Sequence, residues 1–103
     1  MQQERKRIEQ IRARARAEAK LVRKLQDKFA APDAKNLLKP AQNILEDVEE
    51  FFLAPEILKE LKSSVQLSRW LNYAEHQIDA AEHQRRFYEG ILHRYGPNVI
   101  AVG

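Results

Sequence analysis

Residues 63–97 read SSVQLSRWLNYAEHQIDAAEHQRRFYEGILHRYGP. Apolar side chains return in this stretch at alternating steps of four and three: Leu67, Leu71, Ala74, Ile78, Ala81, Tyr88 and Leu92, with Arg85 in the one charged slot. That spacing predicts a single helix with one continuous seam. Ser63 and Gln66 have the spacing of a capping box, which starts a new helix there or bends a continuous one. Gly96-Pro97 stops it, since proline cannot extend a helix and glycine tolerates a left-handed cap. At 1.5 Å per residue the helix is about 45 Å long. The tetrapeptide Ala-Glu-His-Gln occurs at 74–77 and again at 81–84. A seven-residue echo is what a sustained helix–helix seam produces, because the same environment returns every two turns.

The N-terminal segment obeys the same rule. Ile8, Ile11, Ala15, Val22, Leu25 and Phe29 fall on three- and four-residue steps, with Glu18 in the polar slot. Neither glycine nor proline interrupts Gln2 to Lys28, so one long, coiled-coil-like helix is predicted. Propensity alone rarely holds such a helix in water, so it needs a docking face. Pro32 ends it and Asp33 can cap the next helix.

Between the two long helices a second helix is predicted from about Asp33 or Pro40 to Leu53. Leu37, Ala41, Ile44, Val48 and Phe51 form its seam, widened by Leu38, Leu45 and Phe52. A short helix then restarts at Pro55, with Ile57, Leu58, Leu61 and Val65 inward. The expected fold is all-α: a long basic N-terminal helix, an antiparallel helical bundle ending in a long C-terminal helix, and a short extended tail. Residues 1–30 form the basic arm, 33–95 the body and 96–103 the tail.

Charge is divided along the same boundaries. Ten Lys or Arg against four Asp or Glu give residues 1–28 a net +6, while residues 29–84 carry net −5 and residues 85–103 net +2. The whole chain has 103 residues and a formal charge of +3. It has no cysteine, which excludes disulfides, Cys-based zinc sites and thiol nucleophiles. An intracellular protein, cytoplasmic or part of an assembled particle, is the resulting expectation. The longest apolar runs, Phe51–Ala54 and Val99–Val102, are too short for a membrane span.

No catalytic constellation or cofactor is expected. The glycines stand isolated at 90, 96 and 103, so no phosphate loop exists, and Ser63 reads as a cap rather than a nucleophile. His76, Asp79 and His83 share a helical face and could meet one metal ion, but they point away from the predicted seam. Carboxylate-bridged metal bundles use an inward Glu-x-x-His, which this chain lacks.

Two surfaces look adhesive. Arg5, Arg12, Arg16 and Arg23 lie on one narrow stripe of the basic arm, suited to phosphates or to acidic side chains. On the final helix Tyr73, Ala80, Phe87 and Ile91 form a second apolar stripe away from the seam, with Trp70 at its edge. A helix with two apolar faces must bury the second against its own arm or against another chain. The expected function is therefore a non-enzymatic interaction protein, an adaptor or structural subunit, forming homo-oligomers or binding a protein partner. Its contacts would come from that stripe and from the arm seam of Ile8, Ile11, Val22 and Leu25. The alternatives are sequence-tolerant nucleic-acid binding through the arm arginines and a metal site on the final helix. The apolar tail Val99–Val102 is a further candidate contact.

Overall fold

A computed structural model of the chain describes residues 2–98. Helix α1 spans Gln2–Lys28, α2 is a single turn at Pro32–Lys35, and a 3-10 turn comes next at Asn36–Leu38. Helix α3, Lys39–Asp47, runs on into a π-helical turn at Val48–Phe52. The short α4, Pro55–Lys59, leads to the long α5, Ser64–Tyr95. Among the described residues there is no strand, and no helix is long and apolar enough to cross a membrane.

The prolines and caps set these boundaries. Pro32, Pro40 and Pro55 each occupy a first-turn position, where the missing N–H leaves no hydrogen bond unmade. The Ser63 hydroxyl accepts from the Gln66 amide at 3.1 Å, and Gln66 Oε1 accepts from the Lys62 amide at 3.2 Å. Ser63→Ala should therefore lower stability by about 1 kcal/mol, readable as a shift in urea midpoint at constant slope. At the far end Gly96 takes φ +81°, and its amide donates to the Leu92 carbonyl at 2.8 Å.

Three seams make the core. On α1 the buried positions are Ile11, Ala15, Glu18, Val22 and Leu25, continued by Phe29 just past its end. From α2 into α3 they are Ala34, Leu38, Ala41 and Leu45, with Val48 next at the start of the π turn. On α5 they are Leu71, Ala74, Ile78, Ala81 and Arg85. Each set repeats at three- and four-residue steps, the condition for helices to stay in contact along their length.

The contacts between seams give the topology. Arg7 reaches Glu75 and Glu18 reaches Arg85, pairs separated by 68 and 67 residues, so α1 and α5 run parallel in constant register. The Ala30 amide closes the same register by donating to the Pro97 carbonyl at 2.8 Å. Helix α3 runs antiparallel to both, with Arg16 meeting Glu49 and Gln26 meeting Gln42. The result is an up-down-up bundle measuring 49 × 19 × 16 Å. Its radius of gyration, 16.0 Å, exceeds the roughly 13 Å of a globule of this length, so most of its surface is helix flank. The basic N-terminal helix lies within this rod, against α5 and α3.

Two sequence expectations need correction. The seam of α3 is Leu38, Ala41, Leu45 and Val48, with Leu37 and Ile44 only half-buried and Phe51 exposed. Leu38 and Leu45, expected to widen the seam, are its centre, and beyond Val48 the π turn shifts the phase, with the Leu53 amide donating to the Val48 carbonyl at 3.0 Å. That adds one residue to the turn, carries Leu53 into the core and leaves Phe51 on the flank. Val65 is exposed rather than inward. It belongs to α5, where its position lies about 160° around the helix from the Leu67–Leu71 seam.

Candidate interaction surface

Helix α5 has two flanks beside its seam, and each is occupied differently. On one flank lies α1. Arg7 Nε donates to Glu75 Oε1 at 3.0 Å, and its guanidinium also reaches Asn72. Arg14 Nη2 lies 2.5 Å from Asp79 Oδ1 and 3.7 Å from Glu82. Arg7 and Arg14 are seven residues apart, as are Glu75 and Glu82, so the seven-residue echo of α5 meets a seven-residue spacing on α1. A search of the sequence for one arginine stripe passes over Arg7 and Arg14, whose signal is a pair of complementary spacings on two helices.

On the other flank lies the π turn. Trp70 Nε1 donates to the Phe52 carbonyl at 2.7 Å, satisfying a backbone group at the end of that turn. The Trp70 and Phe52 rings stand 4.8 Å apart, Phe52 and Tyr73 5.4 Å, and Phe51 and Trp70 5.8 Å. Trp70 and Tyr73 of this cluster also line an open groove of about 470 Å³. Leu61, Gln66, Trp70 and Tyr73 line it, with Glu60 and Arg69 at its rim. Leu61 and Glu60 come from the segment after α4, so no local pattern in the sequence points to the groove.

Beyond that flank the second stripe of α5 is uncovered. Tyr73 is 54% exposed and Phe87 59%, Ala80 between them is exposed, and Ile91 is half-buried. Of the chain's other helical segments, the π turn touches only the N-terminal end of this line, where Phe52 lies against Tyr73. A smaller hollow of about 220 Å³ lies at its C-terminal end, lined by Phe87, Gly90, Ile91, Arg94 and Tyr95.

The other predicted contact residues lie elsewhere. Ile11, Val22 and Leu25 are buried in the core and Ile8 packs against it, so the seam of α1 is not an open surface. The reason is that α3 and α5 supply, within the chain, the docking face that α1 requires. Of the arginine stripe, Arg12 pairs with Glu9 and donates to the Leu53 carbonyl at 3.4 Å. Arg16 stands 3.3 Å from Glu49 but is exposed, as are Arg5 and Arg23. His76 and His83 are exposed, and His76 Nδ1 lies 3.8 Å from an Asp79 that Arg14 already engages. Among the described residues no three His, Asp or Glu side chains converge as a metal site. The tail Val99–Val102 lies outside the described residues.

The two charged seam positions meet each other. Glu18 and Arg85 are 5% and 8% exposed, and the guanidinium holds both Glu18 oxygens, with Arg85 Nη2 3.2 Å from Oε1. Arg85 also bonds Glu89, one turn further along α5. The hydrogen bonds that Arg85 donates to the Glu18 carboxylate raise the pKa of Arg85 against the opposing effect of burial.

No protein-family profile, curated protein or solved structure matches the chain.

Proposed function

We propose that the chain is a non-enzymatic helical interaction protein, an adaptor or structural subunit of a larger assembly, that docks protein through the outer stripe of α5. One observation carries this reading. After the bundle has used its own helices, Tyr73 and Phe87 remain more than half exposed on a line that begins at the Trp70 cluster. Single exposed apolar residues are ordinary on a protein surface. Aromatics aligned at helical spacing beside an apolar groove resemble the centre of an interface, where Tyr, Trp and Phe are enriched. The reading is favoured over nucleic-acid binding because two of the four stripe arginines, Arg12 and Arg16, already pair with Glu9 and Glu49 of the same chain.

The test is to place a photo-crosslinking phenylalanine analogue at Tyr73 or Phe87 in cells expressing the chain. Exposed positions on other faces, Ala17 and Arg86, serve as controls. Discrete protein adducts are expected from 73 and 87 and not from 17 or 86. A stripe that yields no adduct at either position removes the proposal.

A further inference from the structure

Resting on that reading, we infer that the occupant of the stripe is a second copy of this chain, with the two α5 helices antiparallel and Ala80 on the two-fold axis. The central three residues of the stripe read alike from both ends. Tyr73 and Phe87 each stand seven residues from Ala80, about 10 Å along the helix in either direction. A two-fold at Ala80 therefore sets Tyr73 of each copy against Phe87 of the other. Alanine at the crossing, with its small exposed side chain, lets the two helix axes approach.

The ends of the stripe differ in a way that the same operation satisfies. The N-terminal end is the groove of Leu61, Trp70 and Tyr73, with Glu60 on its rim. The C-terminal end carries the exposed rings of Phe87 and Tyr95 around the smaller hollow, beside Arg94. Antiparallel pairing about Ala80 brings Arg94 of one copy level with Gln66 of the other, at the groove that Glu60 borders. Among the described residues neither Glu60 nor Arg94 has an ion-pair partner. Arg69, also on the groove, falls level with Ile91 of the second copy, one turn from Arg94, so Glu60 is the acid that must hold Arg94 there. Aromatic against aromatic and acid against base are thus matched twice in one isologous contact, the self-complementarity that a two-fold dimer requires.

The chain has no cysteine, so single substitutions report the register. Under mild oxidation Ala80→Cys should link to its own copy. Tyr73→Cys should not, because its equivalent lies about 21 Å away along the antiparallel helix, yet it should link to Phe87→Cys when the two variants are mixed. Sedimentation equilibrium should give twice the 12.1 kDa monomer mass. Ala80→Arg, which places two like charges on the axis, should weaken the dimer at least about 100-fold with helicity retained. Glu60→Lys or Arg94→Glu alone should weaken it about tenfold, and the two together should recover to within about threefold of wild type.

A chain that stays monomeric to millimolar concentration overturns the inference, and so does a Tyr73→Cys variant that self-links as readily as Ala80→Cys. A monomer whose stripe still crosslinks to another protein in cells keeps the interaction reading and removes the second copy. A monomer with no crosslinks removes both.

Discussion

Arg85→Ala is expected to destabilise the bundle by about 3–5 kcal/mol, a large share of the roughly 5–15 kcal/mol that holds a domain of this size together. The substitution leaves the Glu18 carboxylate at 5% exposure with no cation to replace water. The reciprocal change, Glu18→Ala, should cost less, because Arg85 keeps its bond to Glu89, which is partly in solvent. Replacing both at once, Glu18→Leu with Arg85→Met, should be near neutral or stabilising, since a buried ion pair gains little over apolar packing of similar volume. Guanidinium chloride unfolding monitored by circular dichroism measures all three variants. An Arg85→Ala cost below about 1 kcal/mol, or a double variant worse than either single one, would show that the pair is not desolvated as described. If the double variant is stable but melts with a broadened transition, the pair's contribution is to register, as a polar seam residue does in coiled coils.

Phe29→Ala should cost about 3–5 kcal/mol through the cavity it leaves. Phe29 is 2% exposed at the end of the rod where the Ala30 amide meets the Pro97 carbonyl, so the loss falls where α1 and α5 are tied together. The same substitution at Phe51 or Phe87 should cost about 1 kcal/mol, since each residue is already about half exposed and its loss leaves no enclosed cavity. Three identical changes then rank by burial alone in one thermal or urea series. A Phe87→Ala cost equal to that of Phe29→Ala would mean that the stripe on α5 is covered within the chain, which would remove the interaction surface as well.

Some of this surface is legible from local pattern and some is not. Tyr73, Ala80 and Phe87 stand seven residues apart, so their common face is fixed by helix geometry once α5 is recognised. The groove is not, because Leu61 arrives beside Trp70 only through the turn after α4. Phe51 departs from its expected place for a related reason: the π turn inserts one residue between Val48 and Leu53, and a strict heptad count cannot anticipate that insertion.

The residues alone indicate the long helices α1 and α5, a break or bend at Ser63, the restart at Pro55, the glycine stop at 96, and which side of each long helix is buried; that Ser63 begins a separate helix comes from the structure. They also single out Glu18 and Arg85 as the charged exceptions of their seams. What a seam is buried against comes from the folded bundle. A repeat of three and four residues is a property of one helix, set by the geometry of the backbone. The pairing of helices depends on how three such faces close around one core. That closure runs α1 parallel to α5, turns the arm's seam inward and places Glu18 against Arg85 across 67 residues. It also puts α1 on one flank of α5 and the π turn on the other, so Tyr73 and Phe87 are left outside.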